Sequence, residues 1–307
     1  MDVPLSVFGA VLISAFIVLF SSAPASGQMP DSVPGITVEA QREREKLRHD
    51  VDAFAASAMT KSYEDSFMRW DHPVCPLVAG LNRQEGEFVL HRLSNIARSV
   101  HAPLGKENCK PNFFVMIARN PSTFLKILWR RRPGLFDTRH GIAPVKRFIE
   151  YPRPIRVWYN AADIDADEGV AFTGALAESA GIGMGTVDYP IHVSPSFGSR
   201  ITTPVVRNIE SAIIIVDPEK LQGLNFGQMV DYVAFVGLAQ INLDKDIRQA
   251  PSILKLFSAS AVSPPLEMTA WDKALLLSLY TTEQKNRMQL SQMETVMLKE
   301  ISGQATH

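Results

Sequence analysis

Leu224-Asn-Phe-Gly-Gln-Met-Val-Asp-Tyr-Val-Ala-Phe-Val-Gly-Leu-Ala-Gln-Ile241 is the stretch that decides how the rest of the chain must be arranged. Asn225 stands where an N-cap belongs and Gln228 follows three positions later, the spacing at which two side chains satisfy the free amides of a helix start. From Val233 to Ala239 the residues are apolar nearly all round rather than along one stripe. A helix of that kind must be buried on every side, so the spacing predicts a central helix over 226–241. Ala212-Ile-Ile-Ile-Val216 before it reads as a buried strand, and Asp217 to Gly223 reads as the turn between them.

Upstream of that pair, Val74 to Gly80 and Phe113 to Ala118 read as short apolar strands. Between them, Phe88, Leu93, Ile96 and Val100 recur at helical spacing over 85–100. Strand, helix, strand at this length predicts a βαβ unit. Cys75 and Cys109 lie at the starts of the two strands and are expected to form a disulfide pinning those starts together, two buried thiols being the alternative. A helix over 123–132 ends at Pro133-Gly134, and Ile155 to Tyr159 alternates as a strand does. Residues 160–209 are the least regular. Downstream, Thr269 to Asp272 caps a helix through Tyr280, and a tail helix over 283–301 carries Leu290, Met293, Met297 and Ile301 on one face. The fold class expected is α+β, a mixed sheet with a buried central helix and flanking helices.

The composition sets the bounds. Of 307 residues, 46% are hydrophobic and 21% charged, with net charge −1, enough for a sizeable core. A near-neutral chain lacks the basic surplus that phosphate neutralisation requires, so no nucleic-acid partner is expected. Residues 3–20 are an apolar run followed by small residues, so 1–27 is expected to be a signal peptide and 28–37 a linker. The missing positive charge before the run leaves an uncleaved anchor as the alternative, and any membrane contact would come through it. Leu47, Val51, Phe54 and Ala58 mark an amphipathic helix in the segment 38–64, and 65–301 is expected to be a single domain. The chain is therefore expected to be exported, periplasmic or secreted.

The order of these elements carries a resemblance. Ala250-Pro-Ser-Ile-Leu-Lys-Leu-Phe257, Met268-Thr-Ala-Trp-Asp272 and Leu275-Leu-Leu-Ser-Leu-Tyr280 follow the 226–241 helix. Together they resemble a family of uncharacterised secreted bacterial proteins with a zincin-like (metzincin-type) architecture and no zinc-binding histidines. The resemblance implies a zincin-like fold and a scaffold that binds without catalysing. If Asp231 is set on the first ligand of the peptidase motif, the remaining positions read Tyr232, Phe235, Leu238 and Ile241. Zinc needs three converging donors and a carboxylate to activate water, and this helix offers one. No metal and no cofactor are expected.

Three groups of residues remain as candidates. Asp231 with Tyr232 is a possible remnant pocket, or Asp231 pairs with an arginine or a backbone donor from the preceding loop. Trp129, Arg130, Arg131 and Arg132, with Arg139 and His140 nearby, form a basic cluster that could bind an anion, or a solvated helix end. His140 and His192 with acids of the 160–210 loops could form a hydrolase site. The leading expectation is an exported, non-catalytic scaffold for peptide or a cell-envelope component. The hydrolase and an envelope adaptor using the basic patch are its alternatives. A cleft flanked by an exposed sheet edge is what the first requires, because such an edge accepts an extended chain as an added strand.

Overall fold

The computed structural model describes residues 34–62, 66–139, 141–165, 202, 205–245, 247, 250–258 and 263–304. The expected signal peptide, most of the 28–37 linker, His140 and His192 lie outside them. Packing divides the chain after Arg42, and residues 43–307 form one compact body. The first helix, α1 (Pro34–Ala58), starts four residues before the expected segment, and its second half belongs to that body.

The body is α+β, as expected. Strands β1 (Pro76–Ala79), β2 (Phe113–Ile117), β3 (Ile155–Asp165) and β4 (Val205–Val216) form one sheet in the order β1-β2-β4-β3. The first three in that order are parallel, and β3 runs antiparallel to β4 at the edge. Helix α2 (Arg83–Ser99) crosses between β1 and β2, which is the predicted βαβ unit. Cys75 and Cys109 are bonded just ahead of those strands. Gly80 closes β1 at φ 87°, where an added Cβ would run into the Ile117 carbonyl.

Five further helices complete the described body: α3 (Pro121–Arg131), α4 (Ala143–Glu150), α5 (Phe226–Leu238), α6 (Ala270–Thr281) and α7 (Gln289–Gln304). The run Ala212 to Val216 is apolar throughout because both faces of β4 are covered. Ala212, Ile214 and Val216 enter a core with α2, α5, α6, α7 and residues 51–58 of α1. Ile213 and Ile215 enter a second core with Leu125 of α3, and Val145, Phe148 and Ile149 of α4. Several elements differ from expectation. β3 and β4 extend well into the stretch read as irregular, and α4 was not signalled by the sequence. Eight residues with Pro144 near the start give too few periods for a clear stripe.

α5 is buried from Gln228 to Leu238, as its all-round apolar sequence requires. It stops at Leu238, short of Ile241, which instead bridges to Met59. Its ends are satisfied inside the protein. At the start, Asn225 and Gln228 form the predicted reciprocal cap, and Gln228 Nε2 also donates to the Pro265 carbonyl at 2.7 Å. At the finish, the carbonyls that no helical amide can reach are taken by aromatic donors. Trp70 Nε1 donates to Gly237 at 2.9 Å, Tyr280 to Leu238 at 2.6 Å, and the Tyr159 hydroxyl reaches Val236 and Ala239. Burial raises the pKa of both tyrosines, so they stay protonated donors.

Gly237 permits this packing. A Cβ there would fall 2.1 Å from Phe113 Cζ and 2.9 Å from Ile214 Cδ1. Gly237→Ala is therefore expected to lower the stability by at least about 2 kcal/mol through overpacking, although alanine favours helix. A shifted urea midpoint in equilibrium unfolding checks this.

Candidate binding cleft

Strand β3 is one edge of the sheet, β1 being the other. Asp217 N–H donates to the Pro154 carbonyl at 2.8 Å, one residue beyond the Ile155–Val216 pair. That places Ile155–Val216, Val157–Ile214 and Tyr159–Ala212 at the non-bonded positions of the antiparallel ladder. The amides and carbonyls of Ile155, Val157 and Tyr159 thus point away from β4. Those of Val157 meet no hydrogen-bonding partner among the described residues.

A cleft of about 410 Å³ runs along this edge. Arg156 to Tyr159 form one wall, Pro144, Arg147 and Phe148 of α4 another, and Gln240 to Asp244 after α5 the third. Tyr151, Arg153, Leu243 and Asp244 also line a second hollow of about 470 Å³, which reaches to Tyr232, Leu254, Lys255 and Phe257. The two share a boundary and form one trough. Its described lining carries Arg147, Arg153, Arg156, Lys245 and Lys255 against a single carboxylate, Asp244. Arg153 donates to Asp244 at 2.5 Å and Arg147 at 3.3 Å. Arg153 also stands 4.9 Å from the centre of the Tyr151 ring. The Arg156 guanidinium is buried and donates to the Ile149 carbonyl at 2.5 Å and to Ser122 at 3.1 Å. Its Nε has no hydrogen-bond partner among the described residues, and burial lowers its pKa.

Asp231 and Tyr232 have different surroundings. Asp231 is 1% exposed and accepts from Arg92 of α2 at 2.5 and 2.7 Å, and from Met268 N–H at 2.8 Å. Its partners come from an earlier helix and a later segment, not from the preceding loop. Tyr232 turns the other way, edge-on to Phe257 with ring centres 4.9 Å apart, and its buried phenol has a raised pKa. Phe235 and Leu238 are core residues. Of the side chains at the zinc-motif positions, Tyr232, Phe235, Leu238 and Ile241 pack in the core and Asp231 is ion-paired.

The basic cluster divides as well. Trp129 is half-buried in the second core, its ring 5.6 Å from Phe136 in an edge-on arrangement. Arg130, Arg131 and Arg132 are exposed at the end of α3, where cations favour the helix dipole. Arg139 belongs elsewhere, clamping Asp137 and donating to the Ala161 carbonyl. The loop acid Asp163 is held by Arg207 at 2.6 and 2.9 Å. The alternation of Ile155 to Tyr159 signalled the cleft's wall, but nothing local marked Arg153 or Asp244.

Arg92→Leu leaves a buried carboxylate without its counter-ion and is expected to cost about 3 kcal/mol. The double variant Arg92→Leu/Asp231→Leu should lose less than the sum of the two single changes. Denaturant unfolding of the three proteins checks both statements. Compared with protein-family models, with curated proteins and with solved structures, the chain matches none, so its function is to be read from this geometry.

Proposed function

We propose that this protein is an exported, non-catalytic scaffold that binds an extended, acidic peptide as an added strand along β3. The single observation that carries this reading is the open edge itself. Val157 offers an outward amide and carbonyl to a cleft long enough to be walled by two other elements. An edge of this kind supplies main-chain hydrogen bonds, and alternate side chains of the guest fall into flanking hollows. The excess of cations over the one described carboxylate favours a guest carrying Asp, Glu or a free C-terminus.

Export is supported by the Cys75–Cys109 disulfide, since such bonds persist in oxidising compartments. No described helix is long and apolar enough to cross a membrane. A scaffold without catalysis is supported by Asp231, whose carboxylate is occupied by Arg92 and the Met268 amide. The adaptor reading is weakened because Trp129 packs inward instead of joining Arg130–Arg132 at the surface. A zincin-like relationship remains part of this proposal. The antiparallel edge strand beside a buried helix is the arrangement that such a scaffold would use.

Val157→Pro removes the outward amide without touching the β3–β4 ladder, because edge positions tolerate proline where the N–H faces solvent. In fluorescence anisotropy against a labelled library of extended acidic hexapeptides, the unaltered chain should bind and Val157→Pro should bind about 3- to 10-fold more weakly, at an unchanged melting temperature. Arg153→Ala should weaken binding and flatten its salt dependence. The bound peptides should be recovered uncleaved. Equal binding by Val157→Pro, or no binding by any member of the library, would sink the proposal.

A further inference from the structure

A second group of polar residues lies away from the cleft, on the arm of β4 that extends past β2. Phe67 to Trp70 takes the place of β2 there. Arg69 bridges in parallel to Asn208, and Ile209 N–H donates to the Arg69 carbonyl at 2.8 Å. The chain then turns out at Asp71 and His72. On the other side of β4 the register passes from Asn160–Ser211 to Ala161–Ile209, so Glu210 is the extra residue of a β-bulge. Bulges re-aim a side chain that regular pleating would send elsewhere. One ligand atom each of Asp71, His72 and Glu210 lies within 4.8 Å of the other two.

From this geometry we infer that Asp71, His72 and Glu210 form a binding site for a first-row divalent transition-metal ion. Two carboxylates and one neutral imidazole balance the charge of such an ion, and a mixed nitrogen and oxygen set suits zinc or manganese better than calcium or magnesium. Ligands held about 2.0–2.2 Å from zinc stand about 3.4 Å apart at tetrahedral corners, so modest side-chain rotation closes the set. Asp71 and His72 are 41% and 34% exposed, which leaves a side open for water as the remaining ligand.

Two further observations support a built site. Asn208 is 2% exposed and donates through Nδ2 to Asp71 Oδ2 at 2.5 Å, orienting that carboxylate from behind. Its Oδ1 is buried with no hydrogen-bond partner among the described residues, a cost a folded protein ordinarily avoids. Among the described residues, no lysine or arginine pairs with Asp71 or Glu210. Arg69 instead directs its Nη1 to the carbonyls of Leu279 and Thr282 at 2.8 and 2.9 Å. His72 Nδ1 stands 2.9 Å from Asp71 Oδ1, so in the metal-free protein a proton holds the place that the ion would take. The inference does not rest on the peptide reading, and it runs against the expectation of a metal-free chain.

The test is calorimetric titration of Zn²⁺ into the full chain after removal of metal with a chelator. One zinc should bind per chain with a Kd in the micromolar range or tighter, and it should raise the melting temperature. Mg²⁺ and Ca²⁺ at the same concentration should do neither. His72→Ala and the nearly isosteric Glu210→Gln should each weaken binding at least tenfold, while His91→Ala, an exposed histidine on α2, should not. Melting of each metal-free variant controls for folding, and Glu210→Gln carries the test if His72→Ala is unstable. Absence of saturable binding, undiminished binding in Glu210→Gln, or an equal loss in His91→Ala would overturn the assignment.

Discussion

A helix surrounded by protein cannot leave its end groups to water, and the body of this structure is organised around meeting that requirement for α5. The helix is apolar enough to belong at the centre, but its last carbonyls are as polar as any others. Trp70, Tyr159 and Tyr280 supply the donors, and they come from three different parts of the chain. Each has a large apolar ring, so each fills core volume with the same side chain that satisfies a carbonyl. At the other end, Asn225 and Gln228 satisfy each other's backbone, and Asp231 ties the helix to α2 through Arg92.

The same constraint positions the cleft. Tyr159 must point from β3 toward the end of α5, which holds the edge strand against that end and brings residues 240–244 alongside it. Alternation then decides the rest. With Tyr159 turned to the first core, Trp158 faces the second, against Phe136 and Phe148. The outer backbone of Val157 is left between α4 and the segment after α5. An edge strand held this firmly has its geometry set before a guest arrives, which lowers the ordering cost of binding an extended chain.

The two proposed sites differ in the kind of feature that makes them. The cleft is a consequence of regular structure ending: β3 has a partner on one side only. The cluster of Asp71, His72 and Glu210 is a consequence of regular structure being interrupted, by a bulge in β4 and by a neighbouring chain that leaves the sheet. Neither has a compact signature in sequence, because in both the residues meet only through pairing between distant strands.

The sequence by itself determined the elements whose cause is local. Capping at Asn225 and Thr269, the all-round apolar run of α5, the stripe of α2 and the βαβ unit with its paired cysteines all follow from spacing of a few residues. So does the oddity of an acid at Asp231, since a carboxylate on a buried helix needs a partner wherever it comes from. Only the tertiary structure decided which partner, and it chose Arg92, far away along the chain. It likewise decided why Gly237 is glycine, by bringing the Phe113 ring against it, and which strands became the edges. The reason is physical. Helix caps and stripes are written by neighbours within a turn or two, whereas ion pairs, close approaches and sheet edges depend on which distant surfaces meet.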